Sequence, residues 1–167
     1  MSEVYRHDFS FPLGRGTVLA TEKGVCFIAW GETAEGATRT FIQRYFRGAA
    51  IRSGEASSRQ AVREIIEYFA GKRREFTVPL DLRSTGFYRM VLLAVKQIPY
   101  GETRTYGEIA AKVGKPKAAR AVGGANRSNP LAPIIPCHRV VAVNGLGGYA
   151  GGLEMKRRLL EMEGALK

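Results

Sequence analysis

Prolines at 130, 133 and 136 stand three residues apart, and the stretch they hold ends in Pro136-Cys137-His138-Arg139-Val140. Proline fixes its own φ, lacks an N–H and pushes the residue before it out of the helical region. The sequence therefore predicts one rigid, extended path carrying the thiol of Cys137. Beyond it, Arg139-Val140-Val141 reads as a short apolar strand, and five glycines follow between Gly145 and Gly152. Glycine lets backbone come close to a ligand. A fixed approach, a thiol and a glycine-rich lid suit a reactive cysteine in a small-molecule pocket. A buried, inert thiol is the commoner fate of cysteine, and these residues alone leave both readings open.

Charge narrows the partner. The 26 Lys+Arg against 15 Asp+Glu give a net +11 and a pI near 10.1, which points to a polyanion; a solvated basic surface is the plain alternative. The basic residues are spread out rather than massed on one amphipathic helix, so no membrane partner is expected. No segment reaches the roughly 18 apolar residues a membrane span needs. Met1-Ser2-Glu3-Val4-Tyr5-Arg6-His7-Asp8 carries both signs of charge and no apolar signal core, so a cytoplasmic protein is expected. Two cysteines (Cys26, Cys137) and two histidines (His7, His138) are too few and too scattered for a C-x-x-C metal site. No metal and no cofactor are expected. A Cys26–Cys137 disulfide stays open, with two free thiols the default in a reducing cytosol.

A chain of 167 residues suits one domain or two small ones. Its first part reads as α+β. Gly16–Thr21 and Gly24–Trp30, joined by Glu22-Lys23-Gly24, predict an antiparallel hairpin with Cys26 in its core. Phe41, Ile42, Tyr45 and Phe46 predict a helix from about Thr38 to Phe46. Ser57-Ser58-Arg59-Gln60 is a capping-box pattern opening a helix with Val62, Ile65, Ile66 and Phe69 on one face. Phe76–Leu80 reads as an edge strand because it contains Pro79.

A polar linker, Asp81–Gly86, ends a scaffold domain over residues 1–80. Residues 81–167 form the second domain, mostly helical. Phe87, Met90, Val91, Ala94, Val95 and Ile98 line one helix face, with Ser84 or Thr85 as cap. Thr105-Tyr106-Gly107-Glu108 is a second capping box, and Lys117–Arg127 forms the next helix after Gly114-Lys115-Pro116. Two short helices joined by a glycine-containing turn, about 105–127, make a helix-turn-helix. Its second helix shows alanine and glycine, with Arg120 the one long side chain mid-helix, suited to a narrow groove. Tight packing on a neighbouring helix is the alternative use of such small residues. A helix from Leu153 to Glu163 closes the pattern.

Five blocks in order now carry a resemblance: Ile98–Ala110 (IPYGETRTYGEIA), Ala119–Ala125 (ARAVGGA), Asn129-Pro130, Ile135–Val141 (IPCHRVV) and Tyr149–Gly152 (YAGG). From Phe87 to Gly164 the chain resembles the O6-alkylguanine-DNA alkyltransferases, which move an alkyl group from damaged guanine to their own cysteine. The first half matches only in length and α+β pattern, as that family's ribonuclease-H-like domain. The resemblance implies Cys137 as alkyl acceptor, with His138 and Glu163 removing its proton through a water. It implies Tyr106 for rotating the nucleotide and Asn129 as the hinge between DNA-binding helix and active site. It puts Tyr149, Ala150, Lys156 and Val140 around the guanine, and Arg120, Ala119, Gly123 and Arg127 against DNA, with Arg120 filling the gap of the flipped base. The implied partner is duplex DNA containing O6-alkylguanine, with O4-alkylthymine an open second substrate, bound by a monomer. Leu92 stands where the family often has Trp, and Asn126 where an apolar residue is common, which bears on pocket size or DNA contact.

The chemistry fits the residue types. A thiol with a pKa of about 8.5 is only slightly ionised at neutral pH, so displacement at an sp³ carbon calls for a base such as histidine, oriented by a carboxylate. Adjacent residues on an extended chain point to opposite faces, so a water is expected between Cys137 and His138. Three rivals stay open: a sensor that binds alkylated bases without reacting, a Cys–His hydrolase, and a plain basic DNA-binding module.

Overall fold

The two β-branched runs around Glu22-Lys23-Gly24 form the expected hairpin: β2 (Gly14–Thr21) pairs antiparallel with β3 (Gly24–Trp30), Val18 opposite Ile28. The computed structural model describes residues 3–54 and 56–166, so Met1 and Ser2 of the charged N-terminal stretch lie outside it. A strand with no clear signal, β1 (Val4–Phe11), pairs antiparallel with β2, and β4 (Ile51–Arg52) adds parallel to β1, giving the order β3-β2-β1-β4. His7-Asp8 interrupts the apolar alternation of β1, which hid it. Val4, Leu19, Cys26, Phe27, Phe41 and Phe46 make a buried cluster between sheet and helix.

Two helices pack on this sheet. α1 runs Ala34–Tyr45, starting earlier than about Thr38 because Ala34 and Thr38 are both buried by the sheet. α2 runs Ala56–Phe69, so Ser57 lies inside the first turn rather than at the cap. Its buried face is Ala61, Val62, Ile65 and Tyr68; Ile66, expected there, is exposed. Phe76–Leu80 is not a strand. It makes a single bridge, Leu80 to Val25, because Pro79 has no N–H to extend a ladder. The Pro79 carbonyl accepts from Val25 N at 2.9 Å, and Asp81 N donates to Val25 O at 2.7 Å. The chain divides into two compact units at Arg83/Ser84, within the polar linker.

In the second unit α3 (Gly86–Lys96) buries Val91, Leu92, Ala94 and Val95, while Met90, expected on that face, is half exposed. Thr85 is its N-cap residue but makes no side-chain cap bond. α4 (Tyr106–Lys112) opens on the predicted capping box: Thr105 Oγ1 accepts from Glu108 N, and Glu108 accepts from Thr105 N. α5 (Ala119–Arg127) follows a turn and packs on both α3 and α4. The close packing explains a glycine inside it. A Cβ on Gly124 would sit 2.5 Å from the Tyr88 hydroxyl. β5 (Arg104–Thr105) pairs parallel with β6 (Val140–Val141), tying the start of α4 to the segment just past the thiol. α6 (Leu153–Met162) closes the unit, with Glu163 as its C-cap residue. Among the described residues no helix is long and apolar enough to cross a membrane.

Candidate active site

Cys137 is not on an extended path. Cys137–Arg139 form one 3-10 turn, in which Arg139 N donates to Pro136 O at 2.9 Å. The prolines fix what leads into this turn rather than what carries the thiol. Strand alternation therefore does not set the faces of Cys137 and His138. Asn129 holds the approach: its Nδ2 donates to Ile135 O at 2.8 Å, and its Oδ1 accepts from Leu131 N at 2.9 Å. Cys137 is 6% exposed and free of any disulfide. Burial pushes the Cys137 thiol up from its ordinary value, while the neighbouring Asn129 amide and the Lys156 charge pull it back only in part. At rest this group is a thiol.

The same turn carries a base. His138 is fully buried, and its Nε2 lies 2.8 Å from Glu163 Oε2. Arg139 holds that carboxylate as well, Nε to Oε1 at 2.8 Å and Nη2 to Oε2 at 2.9 Å, and donates from Nη1 to Ile98 O at 2.6 Å. Its guanidinium stacks 5.6 Å from the Tyr100 ring centroid. A carboxylate so gripped is ionised and can only accept, so Nε2–H donates and Nδ1 is the basic nitrogen of His138. Burial lowers the His138 pKa; Glu163 opposes this without reversing it. The imidazole is neutral and able to take a proton.

A cavity of about 680 Å³ opens onto the sulfur, lined by Tyr106, Ala119, Arg120, Gly123, Asn126, Arg127, Cys137, Gly148, Tyr149 and Ala150. The start of α4 and one face of α5 along its whole length thus form one wall and the glycine-rich loop the other. Gly148 is the loop's anchor. Its N–H donates to the Tyr106 hydroxyl at 3.1 Å, that hydroxyl donates back to its carbonyl at 3.4 Å, and Lys156 Nζ donates to the same carbonyl at 2.8 Å. Gly147, at φ 75°, passes so near the Tyr106 ring that a Cβ would meet it at 2.7 Å. Burial raises the Tyr149 pKa well above its usual value, so its hydroxyl stays a donor.

Eight of the sequence-predicted residues meet at this cavity: Cys137, Tyr106, Tyr149, Ala150, Arg120, Ala119, Gly123 and Arg127. The other five lie behind it. His138 and Glu163 form the buried pair, and Asn129 braces the approach. Lys156 spends its ammonium on Val140 O and Gly148 O, and burial lowers its pKa to about 8; Val140 enters through that carbonyl. Sequence reasoning missed Arg139, although it lies within the quoted block, since nothing in a sequence distinguishes an arginine bound to a buried carboxylate from a solvated one. Residues 84–167 hold thirteen of the Lys+Arg and five of the Asp+Glu, so eight of the eleven net charges belong to the unit with the cavity. Among the described residues no group of three or more His, Cys, Asp or Glu side chains gathers to hold a metal.

The chain matches two family models: the DNA binding domain of 6-O-methylguanine DNA methyltransferase over residues 86–165, and the ribonuclease-like domain of 6-O-methylguanine DNA methyltransferase over residues 4–82. It is 56% identical over 108 residues to a methylated-DNA–protein-cysteine methyltransferase of Methanosarcina acetivorans, a stretch covering 64% of this chain and 69% of that protein. It is 58% identical over 104 residues to the protein of the same name from Mycobacterium bovis, covering 62% and 63%. The matched stretch thus spans about two thirds of these relatives' length. The fold is similar to that of the Mycobacterium tuberculosis O6-methylguanine methyltransferase, with TM-score 0.80 and 40% identity over 100% of this chain and 95% of that one. It is equally similar to the same organism's OGT in complex with DNA, with TM-score 0.80 and 40% identity over 96% and 93%.

Proposed function

The chain belongs to the 6-O-methylguanine DNA methyltransferase family, and on that premise we propose that it repairs O6-alkylguanine in duplex DNA by moving the alkyl group irreversibly to its own Cys137. One observation carries this reading: the thiol opens onto a cavity shared by the helix-turn-helix, while a neutral histidine backed by a carboxylate is built into the same turn.

In this mechanism His138 Nδ1 takes the thiol proton, directly or through a water, and Glu163, held by Arg139, stabilises the imidazolium. The thiolate attacks the alkyl carbon in line. The Sγ–C bond forms as the C–O6 bond breaks, and the leaving guanine regains a ring proton. Donors on the cavity wall stabilise the charge on the departing base: the Tyr149 hydroxyl, the Ala150 amide and, once it turns from the Gly148 carbonyl, the Tyr106 hydroxyl. The carbon is out of reach inside a duplex, so the nucleotide flips into the cavity and Arg120, exposed at the start of α5, fills the gap. Ala119, Gly123 and Arg127 border the DNA path, and Asn129 keeps α5 in register with the thiol. The net positive charge of this unit supplies phosphate affinity independent of sequence.

A thioether cannot ionise, so each molecule reacts once. The protein acts as a monomer in the cytoplasm, where a reducing pool keeps both cysteines as thiols. The test is restoration of a restriction site blocked by one O6-methylguanine. Cleavable DNA should rise to one equivalent per protein and stop. Continued turnover would refute single use, and no restoration despite tight binding would favour a sensor.

A further inference from the structure

Asn126 is an unexplained residue in the cavity wall. Its Nδ2 and Oδ1 are both buried and neither has a hydrogen-bond partner, although the residue lines the cavity. An unpaired buried amide is a standing cost to the fold, and an apolar residue there would avoid it. The rest of the wall does not share this deficit. Tyr106 is satisfied by Gly148, and Asn129, just behind the wall, by Ile135 and Leu131.

Arg120 stands in the first turn of α5 and Asn126 in its last. Asn129, one turn beyond Asn126, is the residue whose amide neighbours the Cys137 sulfur. Asn126 and Cys137 line the same cavity, so the Asn126 amide borders the space that receives the group being transferred. The χ2 torsion of Asn is broad, so a small rotation turns either polar atom inward.

We propose that Asn126 is a specificity residue that recognises a hydrogen-bonding substituent on the transferred alkyl chain, such as the hydroxyl of a 2-hydroxyethyl group. This rests on the alkyl-transfer reading above. The reaction itself is unchanged: the Sγ–C bond forms, the C–O6 bond breaks, the thiol proton leaves to His138, and guanine takes up one proton. What Asn126 adds is discrimination, because a site with an unpaired polar group favours the ligand that pairs it over an isostere that does not.

The test uses the full chain with duplexes carrying one O6-(2-hydroxyethyl)guanine or its near-isostere O6-propylguanine, and single-turnover rates on each. The wild type should react about tenfold faster with the hydroxyethyl lesion, and Asn126→Leu should bring that ratio to about one. Asn126→Ala, read by the same ratio, serves if the leucine variant shows no cooperative melt. An equal ratio in wild type and variant, with O6-methylguanine still repaired, would overturn this inference alone. No transfer from any of the three lesions by the wild type would overturn the alkyl-transfer reading and this inference with it.

Discussion

Arg139 grips both oxygens of Glu163, Nε to Oε1 at 2.8 Å and Nη2 to Oε2 at 2.9 Å, in a part of the molecule where both side chains are buried. The same carboxylate meets His138. Two residues of the turn that carries the thiol are thus fastened to the C-cap of α6, so the base is fixed by the far end of the unit.

Replacing Glu163 by Gln should cost about 3 kcal/mol, because it leaves the Arg139 guanidinium buried without its counter-charge. Thermal melting measures this. Transfer should slow on the order of 100-fold as the base loses its orienting partner. A variant as stable and as fast as the wild type would remove Glu163 from the site.

Transfer should hold its rate as pH falls to 6.5 and decline only below it, since the His138 pKa lies under that value. The sign for stability is the same. A depressed histidine contributes its stability in full above the unfolded pKa and loses it as pH falls from there through the lower folded pKa. Because Glu163 raises the His138 pKa, Glu163→Gln should move the acid limb lower still. A limb at or above 6.5 in the wild type would contradict the neutral base.

Tyr106 and Lys156 both hold Gly148, so their removal should be coupled. Tyr106→Phe and Lys156→Met should each speed amide exchange and proteolysis between Gly145 and Gly152. In the double variant the effects should depart from additivity by about 0.5–3 kcal/mol in the opening free energy. Strict additivity would mean that the two side chains do not act on one loop position.

Arg120→Ala should weaken repair in duplex DNA far more than reaction with a free O6-substituted guanine base. Arg120 is exposed at the cavity rim, with no part in holding the thiol. Equal losses on both substrates would count against its role in filling the gap.

The C-terminal unit was largely legible because its signals are local. Thr105 and Glu108 close a capping box between neighbours, and prolines and glycines mark where helices cannot run. What escaped was decided by contacts distant in sequence. Met90 has the spacing of a core residue yet faces outward, and Phe76–Leu80 has strand composition but a proline where a ladder would continue. β1 is a strand because β2 pairs with it, despite His7 and Asp8. At the site, the block around Cys137 gave the thiol and histidine, but its 3-10 turn, the Arg139–Glu163 pair and the unpaired amide of Asn126 depend on the assembled fold.

The account stands most directly on one mass. The full chain is mixed with a duplex carrying a single O6-methylguanine and digested, and the peptides holding Cys137 and Cys26 are weighed. The account predicts one added methyl on the Cys137 peptide, saturating at one per protein, and none on that of Cys26, whose thiol is buried in the sheet core and pushed up to about 12. A methyl on Cys26, or no mass change while the lesion DNA is tightly bound, would contradict it.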